Sequence, residues 1–420
     1  MRQVKRFLPV TQVVVPPDEA AAAQALHEAA RTETAVYPVG GGTSLAYGLR
    51  PVRPGIGLST ARLAAVVSFP AQDLTVTVQA GLSIAELNKR LASERQWLPI
   101  DVPQPELATV GGVVATNVFG PRRFGYGTIR DYVLGFRAVD GQGEVFCGGG
   151  QVVKNAAGYN LPRLLVGSLG TLGVLTQVTL MVQPRPQDSR IVMCDVREFE
   201  GVECLLAGLS RSRTLPVAIE LLAGRPRPGC PFPQAPPGVV ARLLVGFDGS
   251  QAEVDWMVRQ LRKEWEAAGR SAAPAASIRV LSDAELERTW SWLSDSSGHL
   301  LIHVLPSEVV GVVQEMARLV PGASIQAHAG SGVIRVCWFR LAPSQADGEM
   351  FTADLREKLR PAVLAAGGSL VVLAAPDGAE LASADVWGLP ADGTDIMHAI
   401  RSRFDPKGIL NPGRFIFGSP

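Results

Sequence analysis

An α+β fold in two domains is what this sequence predicts, and three observations carry the prediction. The first 185 residues alternate short β-rich runs with helical ones, and Pro184 and Pro186 break the chain where that pattern stops. Beyond them the order of elements is β-α-β-β-α, which suits a helix-backed antiparallel sheet of ferredoxin-like type. With 420 residues and a hydrophobic fraction of 47%, the chain can fill two cores at roughly 100 to 200 residues each.

The first strand is expected at Thr11 to Val15. Asp18 then caps an Ala-rich helix that runs to about Arg31, and Ala35 to Val39 forms a second strand ended by Gly40-Gly41-Gly42. Further strands are expected at Ile56 to Ser59, Ala64 to Ser68 and Leu74 to Gln79. Gly81 and Ser83 open a helix whose Ile84, Leu87 and Leu91 fall on one face. The run Leu164 to Val182 is uncharged for 19 residues, long enough to span a bilayer. Its three glycines, Ser168 and Gln177, with the alternation Val174, Thr176, Val178, Leu180, Val182, make it a strand instead.

Past the two prolines come a strand at Ile191 to Cys194, a helix at Phe199 to Ser210, and strands at Val217 to Leu222 and Val239 to Phe247. A helix follows with Val254, Met257, Val258, Leu261 and Trp265 on one face. Between the two middle strands, Ala223 to Gly238 holds six prolines in sixteen residues and reads as an exposed loop. Strands near Leu300 to Leu305, Ser324 to Ala327, Val333 to Phe339 and Ser369 to Leu373, with helices from Pro306 and Ser344, complete the same domain. No internal repeat of fixed period is visible. The expected division is residues 1–185, 186–400 and a C-terminal segment 401–420.

Forty basic residues against thirty-nine acidic ones leave a net charge of +1, which excludes the basic footprint of a nucleic-acid binder. Five cysteines without C-x-x-C spacing disfavour a disulfide framework, a zinc ribbon and a ferredoxin-type cluster, and point to a reducing compartment. Arg2, Lys5 and Arg6 precede an apolar stretch that Pro9 interrupts, so no signal peptide is expected and the location is read as cytoplasmic.

The chemistry is expected in glycine-rich segments. In Val39-Gly40-Gly41-Gly42-Thr43-Ser44 three glycines directly after a strand let several amide N–H groups point into one hollow that suits a diphosphate, and Thr43 and Ser44 add hydroxyls. A plain Gly-rich turn explains the same residues. No Gly-Lys-Ser/Thr follows, and no G-x-G-x-x-G follows a strand, which weakens P-loop and Rossmann readings. Pro103 and Pro105 precede Thr109-Val110-Gly111-Gly112-Val113-Val114-Ala115-Thr116-Asn117, whose small residues give a short helix one narrow face for something flat; close helix–strand packing is the alternative. Arg123 to Thr128, Lys154 to Tyr159 and Gly167 to Val174 follow. So many glycine-rich segments in one domain argue for a single extended ligand.

Taken in order, these segments resemble the flavin domain of the vanillyl-alcohol-oxidase-type FAD family, the PCMH fold, and within it the FAD-binding E-type subunits of bacterial glycolate oxidases. Arg403-Phe404-Asp405-Pro406-Lys407-Gly408-Ile409-Leu410-Asn411-Pro412-Gly413-Arg414 is similar to that family's C-terminal signature. The resemblance implies a PCMH-type FAD-binding domain, a ferredoxin-like cap domain and a C-terminal return to the flavin. Val39 to Ser44 would cradle the FAD diphosphate, with Pro103, Thr109, Gly111, Gly112, Ala115, Thr116 and Asn117 along the flavin arm. Gly170, Gly173 and Val174 would pass the adenine side, while Asn411 and Arg414 would reach the isoalloxazine. Relatives with covalent flavin carry a His in the first glycine loop; this loop has none, so non-covalent FAD is expected.

Two departures bear on activity. Relatives that oxidise 2-hydroxy acids carry Gly-Ser-Glu-Gly-Thr-Leu-Gly, where this chain has Leu169 in place of Glu. They also carry His-x-Gly-Asp-Gly-Asn-x-His, which binds a divalent metal. Here the segment is His328-Ala329-Gly330-Ser331-Gly332-Val333-Ile334-Arg335, with Ser331 for the Asp and Arg335 for the second His, so no metal is expected. Arg335 can pair with a substrate carboxylate, although a salt bridge elsewhere is the plainer reading; His328 and Arg335 are the expected catalytic pair. Glu220, an acid within an apolar strand, is read as half-exposed or pocket-lining. His299 and His303 share a strand face without a third ligand, and His27 and His398 sit on surface helices.

The expectation is an FAD subunit passing electrons from a 2-hydroxy acid such as glycolate to a partner or quinone. The resemblance implies a second flavin subunit and an Fe–S subunit as partners, with at most peripheral attachment to the inner face of the cell membrane. The rivals are a relay or assembly subunit without turnover, and a stand-alone FAD-dependent D-2-hydroxy-acid dehydrogenase.

Overall fold

The structure is a computed structural model that describes residues 2–51, 53–150, 159–269, 275–295, 298–338, 345–376, 379–389 and 392–415. The segment Lys154 to Gly158, the expected strand end at Phe339 and the helix start at Ser344 lie outside the described residues. Two compact units form. One comprises Met1–Phe119, Thr128–Arg185 and Ala382–Pro420; the other comprises Gly120–Gly127 and Pro186–Leu381.

The first unit holds two main sheets. Strands Val10–Val14, Gly55–Ser59 and Ala35–Val39 lie parallel, in that order. Strands Val66–Ser68, Thr75–Gln79, Val174–Met181, Val133–Val139 and Val145–Gly149 form an antiparallel sheet, again in that order. The uncharged run is therefore strand from Val174 onward, and no helix among the described residues is long and apolar enough to cross a membrane. Asp18 caps the helix Glu19–Arg31 by accepting from the Ala21 amide at 2.8 Å. Ser83 caps Ile84–Ala92, which buries Ile84, Leu87 and Leu91.

The C-terminal segment rejoins this unit earlier than the expected residue 401. Ile400 and Phe404 of the helix Thr394–Phe404 pack on the core around Val76, Leu87 and Phe136, which draws the chain back from Ala382 onward. After that helix, Leu410 bridges in parallel to Val36, beside the glycine loop.

The second unit is an eight-stranded antiparallel sheet. Its order is Ala275–Val280, Asp188–Val196, Ala241–Gly249, Ala218–Gly224, Ser324–His328, Val333–Cys337, Leu300–His303 and Ser369–Val372. Residues 188–280 run β-α-β-β-α-β, and residues 300–372 run through the same sequence of elements, so the sheet joins two ferredoxin-like halves along Ala218–Gly224 and Ser324–His328. The repeat is one of topology, invisible as a sequence period. Helices Phe199–Leu209, Gln251–Gly269 and Val309–Leu319 pack against these strands. Because side chains alternate, the pairings place Asp195, Arg242, Glu220, Gln326, His328 and Arg335 on one face.

Candidate active site

In the first unit a cleft of about 860 Å³ opens where the strand Ala35–Val39 ends. It is lined by Val39 to Ser44, by Thr109, Gly111, Gly112, Ala115 and Thr116, by Leu169, Gly170, Gly173 and Val174, and by Asn411 and Arg414. The glycines permit this meeting of segments. A Cβ on Gly41 would collide with the Leu107 carbonyl oxygen, and one on Gly40 with the Thr109 hydroxyl, so the loop rests directly on the entrance to the helix Val110–Thr116. Gly42 is required for a different reason. A Cβ there would meet only the Leu45 side chain at an ordinary 3.6 Å, but its φ of +77° lies in the left-handed region.

The other walls are tied to this loop by hydrogen bonds. The Thr109 hydroxyl accepts from the Gly112 amide at 3.2 Å and caps the short helix. Asn411, itself left-handed at φ 45°, donates its amide to the Val36 carbonyl at 2.8 Å and its side-chain N–H to the Leu169 carbonyl at 2.5 Å. The buried Arg414 guanidinium donates to the Leu45 carbonyl at 2.7 Å, and burial pulls its pKa down to about 10, which leaves it charged at neutral pH. A groove of backbone amides beside one buried cation fits a group carrying a diphosphate.

Three expected contributors sit elsewhere. Pro103 is not among the lining residues, and neither is Asn117, which closes the helix as a left-handed C-cap at φ 50°. Residues 120–127 belong to the second unit. There the Gly125 amide donates to the Val217 carbonyl at 3.0 Å, and Arg122 reaches Asp248 at 3.1 Å with its guanidinium 3.7 Å from the centre of the Trp290 ring. Gly125 serves close packing against a sheet rather than the cleft. Of the segment Lys154 to Tyr159, only the exposed Tyr159 is described.

In the second unit the polar positions of the sheet connect. His328 is 2% exposed and Glu220 1% exposed, and the His328 Nδ1 lies 2.6 Å from Glu220 Oε1. Glu220 Oε2 accepts from Gln326 Nε2 at 2.7 Å, and Gln326 Oε1 accepts from Arg227 at 2.7 Å. Glu220 is thus neither half-exposed nor a spare pocket acid; burial on a strand is tolerated because both of its oxygens are bonded. Arg335, also buried, stands opposite Gln326 in the register. The signal for Glu220 was its place as an acid in Ala218-Ile219-Glu220-Leu221-Leu222, but its partner lies 108 residues away and could not be read from it. Desolvation, then the charges of Arg123 and Arg335, push His303 below the ordinary imidazole value, which puts three basic side chains near one another.

Comparison with known proteins gives the chain its cofactor. An FAD binding domain model matches residues 10–148, and the model of the C-terminal domain of FAD linked oxidases matches residues 389–415. Both matched stretches contribute walls to the cleft. The chain is an FAD-dependent oxidoreductase.

The fold of this oxidoreductase is the PCMH-type flavoprotein fold. A solved alkyldihydroxyacetonephosphate synthase superposes with a TM-score of 0.67 at 18% identity, over 95% of this chain and 75% of the other, a likeness of fold. Among curated relatives, glycolate oxidase subunit GlcD of Bacillus subtilis is 26% identical over 397 residues, 90% of this chain and 83% of the relative. A D-lactate dehydrogenase of Archaeoglobus fulgidus is 28% identical over 423 residues, 96% of this chain and 91% of the relative. Glycolate oxidase subunit GlcE of Escherichia coli is 44% identical, but over only 125 residues, 30% of this chain and 36% of that one. This corrects the expectation of an E-type subunit: that likeness is local, whereas the relatives aligned along the whole oxidoreductase are of the D-lactate dehydrogenase and GlcD kind.

The divalent cation implied by the family motif does not fit the residues of this oxidoreductase. Ser331 lies on the short turn Ala329–Ser331 in place of the motif's carboxylate, and Arg335 has no lone pair to donate, so neither supplies His328 with a second ligand. Among the described residues no group of three His, Cys, Asp or Glu side chains could hold a metal ion.

Proposed function

We propose that this oxidoreductase is a self-sufficient dehydrogenase of D-2-hydroxy acids, converting the carbinol to a 2-oxo acid. The observation that carries the reading is the alignment of a D-lactate dehydrogenase and a D-2-hydroxyglutarate dehydrogenase along nearly the whole chain, second unit included. FAD, when bound, supplies the two-electron acceptor for the carbinol hydride. Val39 to Ser44 hold its diphosphate on backbone amides, the Thr109 to Thr116 helix lines its flavin arm, and Asn411 and Arg414 close the cleft. In the second unit Arg335 takes the substrate carboxylate, and His328, oriented by Glu220 through Nδ1, takes the hydroxyl proton. In this reading a cation on a fixed strand replaces the metal as carboxylate anchor.

The test is turnover by the purified flavin-loaded chain with an artificial electron acceptor. D-lactate or D-2-hydroxyglutarate should reduce the acceptor while L-lactate does not. Flavin-loaded protein inert toward every D-2-hydroxy acid would overturn the reading. Chelator treatment should leave the rate unchanged, and Arg335→Ala should raise KM at least tenfold; a rate lost with chelator and restored by Zn²⁺ or Mn²⁺ would contradict the assignment of Arg335. A second reading, in which the chain relays electrons within a complex, is favoured by the two glycolate oxidase subunits among its relatives. It predicts turnover only after a second flavin subunit and an Fe–S subunit are added.

A further inference from the structure

The Pro-rich connection between the strands Ala218–Gly224 and Ala241–Gly249 keeps most of its prolines at the surface, yet two of its side chains turn inward. Arg227 is buried, donates to the Trp292 carbonyl at 2.8 Å and to the Asp295 carbonyl, and lies over the Trp292 ring with its guanidinium carbon 4.5 Å from the centre. Phe232 is buried too, and meets Trp292 edge to face at 6.0 Å. These anchors hold the connection above the sheet and leave a cleft of about 470 Å³. Its walls include Pro226, Phe232 and Trp292 on one side and Leu222, Val239 and Ile325 on another.

One charged group enters this apolar space. Arg242 lines the cleft and is 7% exposed. Its Nε donates to Asp195 Oδ1 at 2.8 Å, and Asp195 Oδ2 accepts from Ser277 at 3.2 Å, so the guanidinium is fixed from behind. Its two Nη groups donate to no acceptor among the described residues. Asp195 balances Arg242, and the free edge of the Arg242 fork is the pair of parallel donors that a carboxylate accepts.

We propose that this cleft is a second binding site, for a small aromatic carboxylate. The ring packs between Pro226, Phe232 and Trp292, and the carboxylate sits on Nη1 and Nη2 of Arg242. Aromatic walls favour a flat ring over an alkyl chain, and the planar fork favours a carboxylate over an uncharged head.

Calorimetric titration of the flavin-loaded protein with 1-naphthoate tests the proposal. Saturable one-to-one binding is expected, at least tenfold tighter than that of 1-naphthalenemethanol, which lacks the charge, or cyclohexanecarboxylate, which lacks the ring. Ala235→Trp, which fills the cleft from its half-buried rim without touching the Arg242–Asp195 pair, should abolish the binding. Arg242→Lys, which keeps the charge and loses the fork, should weaken it at least tenfold. Absence of saturable binding to the wild-type protein, equal affinity for the two control compounds, or binding undiminished in both variants would each overturn the site.

Discussion

At Gly41 a single methyl group decides whether the first loop can rest on the chain after Leu107. Gly41→Ala should lose most bound flavin, because the obstacle is a backbone carbonyl that cannot rotate away. Gly42→Ala meets no such obstacle and should cost about 1 kcal/mol of stability through its left-handed φ while retaining flavin. The flavin-to-protein absorbance ratio and a urea melt of each variant separate the two effects. In the second unit, His328→Ala removes one of the bonds that let the Glu220 carboxylate remain buried, and should cost about 3 kcal/mol in the same melt. A loss below about 1 kcal/mol, as exposed pairs give, would mean that Glu220 does not depend on His328. Sequence reasoning could find the glycines, because three in a row after a strand have few uses. It could not tell which of them touches backbone, since that depends on Leu107 arriving from a different part of the chain.

Elements legible in the sequence are those whose signals are local. The strand Ala35–Val39 and the helix Ile84–Ala92 follow from β-branched or aromatic composition and from a capping serine. The connection rich in proline was legible as a non-strand, but its two inward anchors were not, because Arg227 and Phe232 are held by residues of the helix Asp283–Ser294 and beyond. That helix carries a testable pH dependence. At its start Glu285 accepts from the Ser282 amide at 3.0 Å and from Arg279 at 2.8 Å, and the Arg279 bond first, then the Ser282 amide, hold its carboxyl down at about 2. A carboxyl lowered by folding contributes stability that is fully present above its unfolded value near 4.5 and is lost as pH falls through about 2. Thermal melts of wild type and Glu285→Gln should therefore differ at pH 6 and converge toward pH 2. A constant difference across that range would remove Glu285 as the titrating group.

At the scale of the whole molecule, the cofactor unit is assembled from three stretches of chain, and its C-terminal stretch supplies Leu410 beside Val36 and Asn411 and Arg414 in the cleft. A chain ending at Leu381 retains every strand of the eight-stranded sheet and should keep that sheet's far-ultraviolet signature, yet bind no FAD. Flavin retained by that truncation would show the C-terminal stretch to be dispensable. The sequence made this return visible through the similarity of residues 403–414 to a known signature, but not its onset at Ala382, because the segment that packs back carries no turn or composition shift of its own. The same arrangement orders events on the ribosome. Translation completes residues 186–381 while the strand Ala35–Val39 still lacks its Leu410 neighbour. The glycine loop must therefore wait, without its last wall, through the synthesis of an entire intervening unit. Cofactor capture becomes a late step, and its rate in a cell is tied to the emergence of residues 410–414 rather than to the folding of the N-terminal strands that first form the loop.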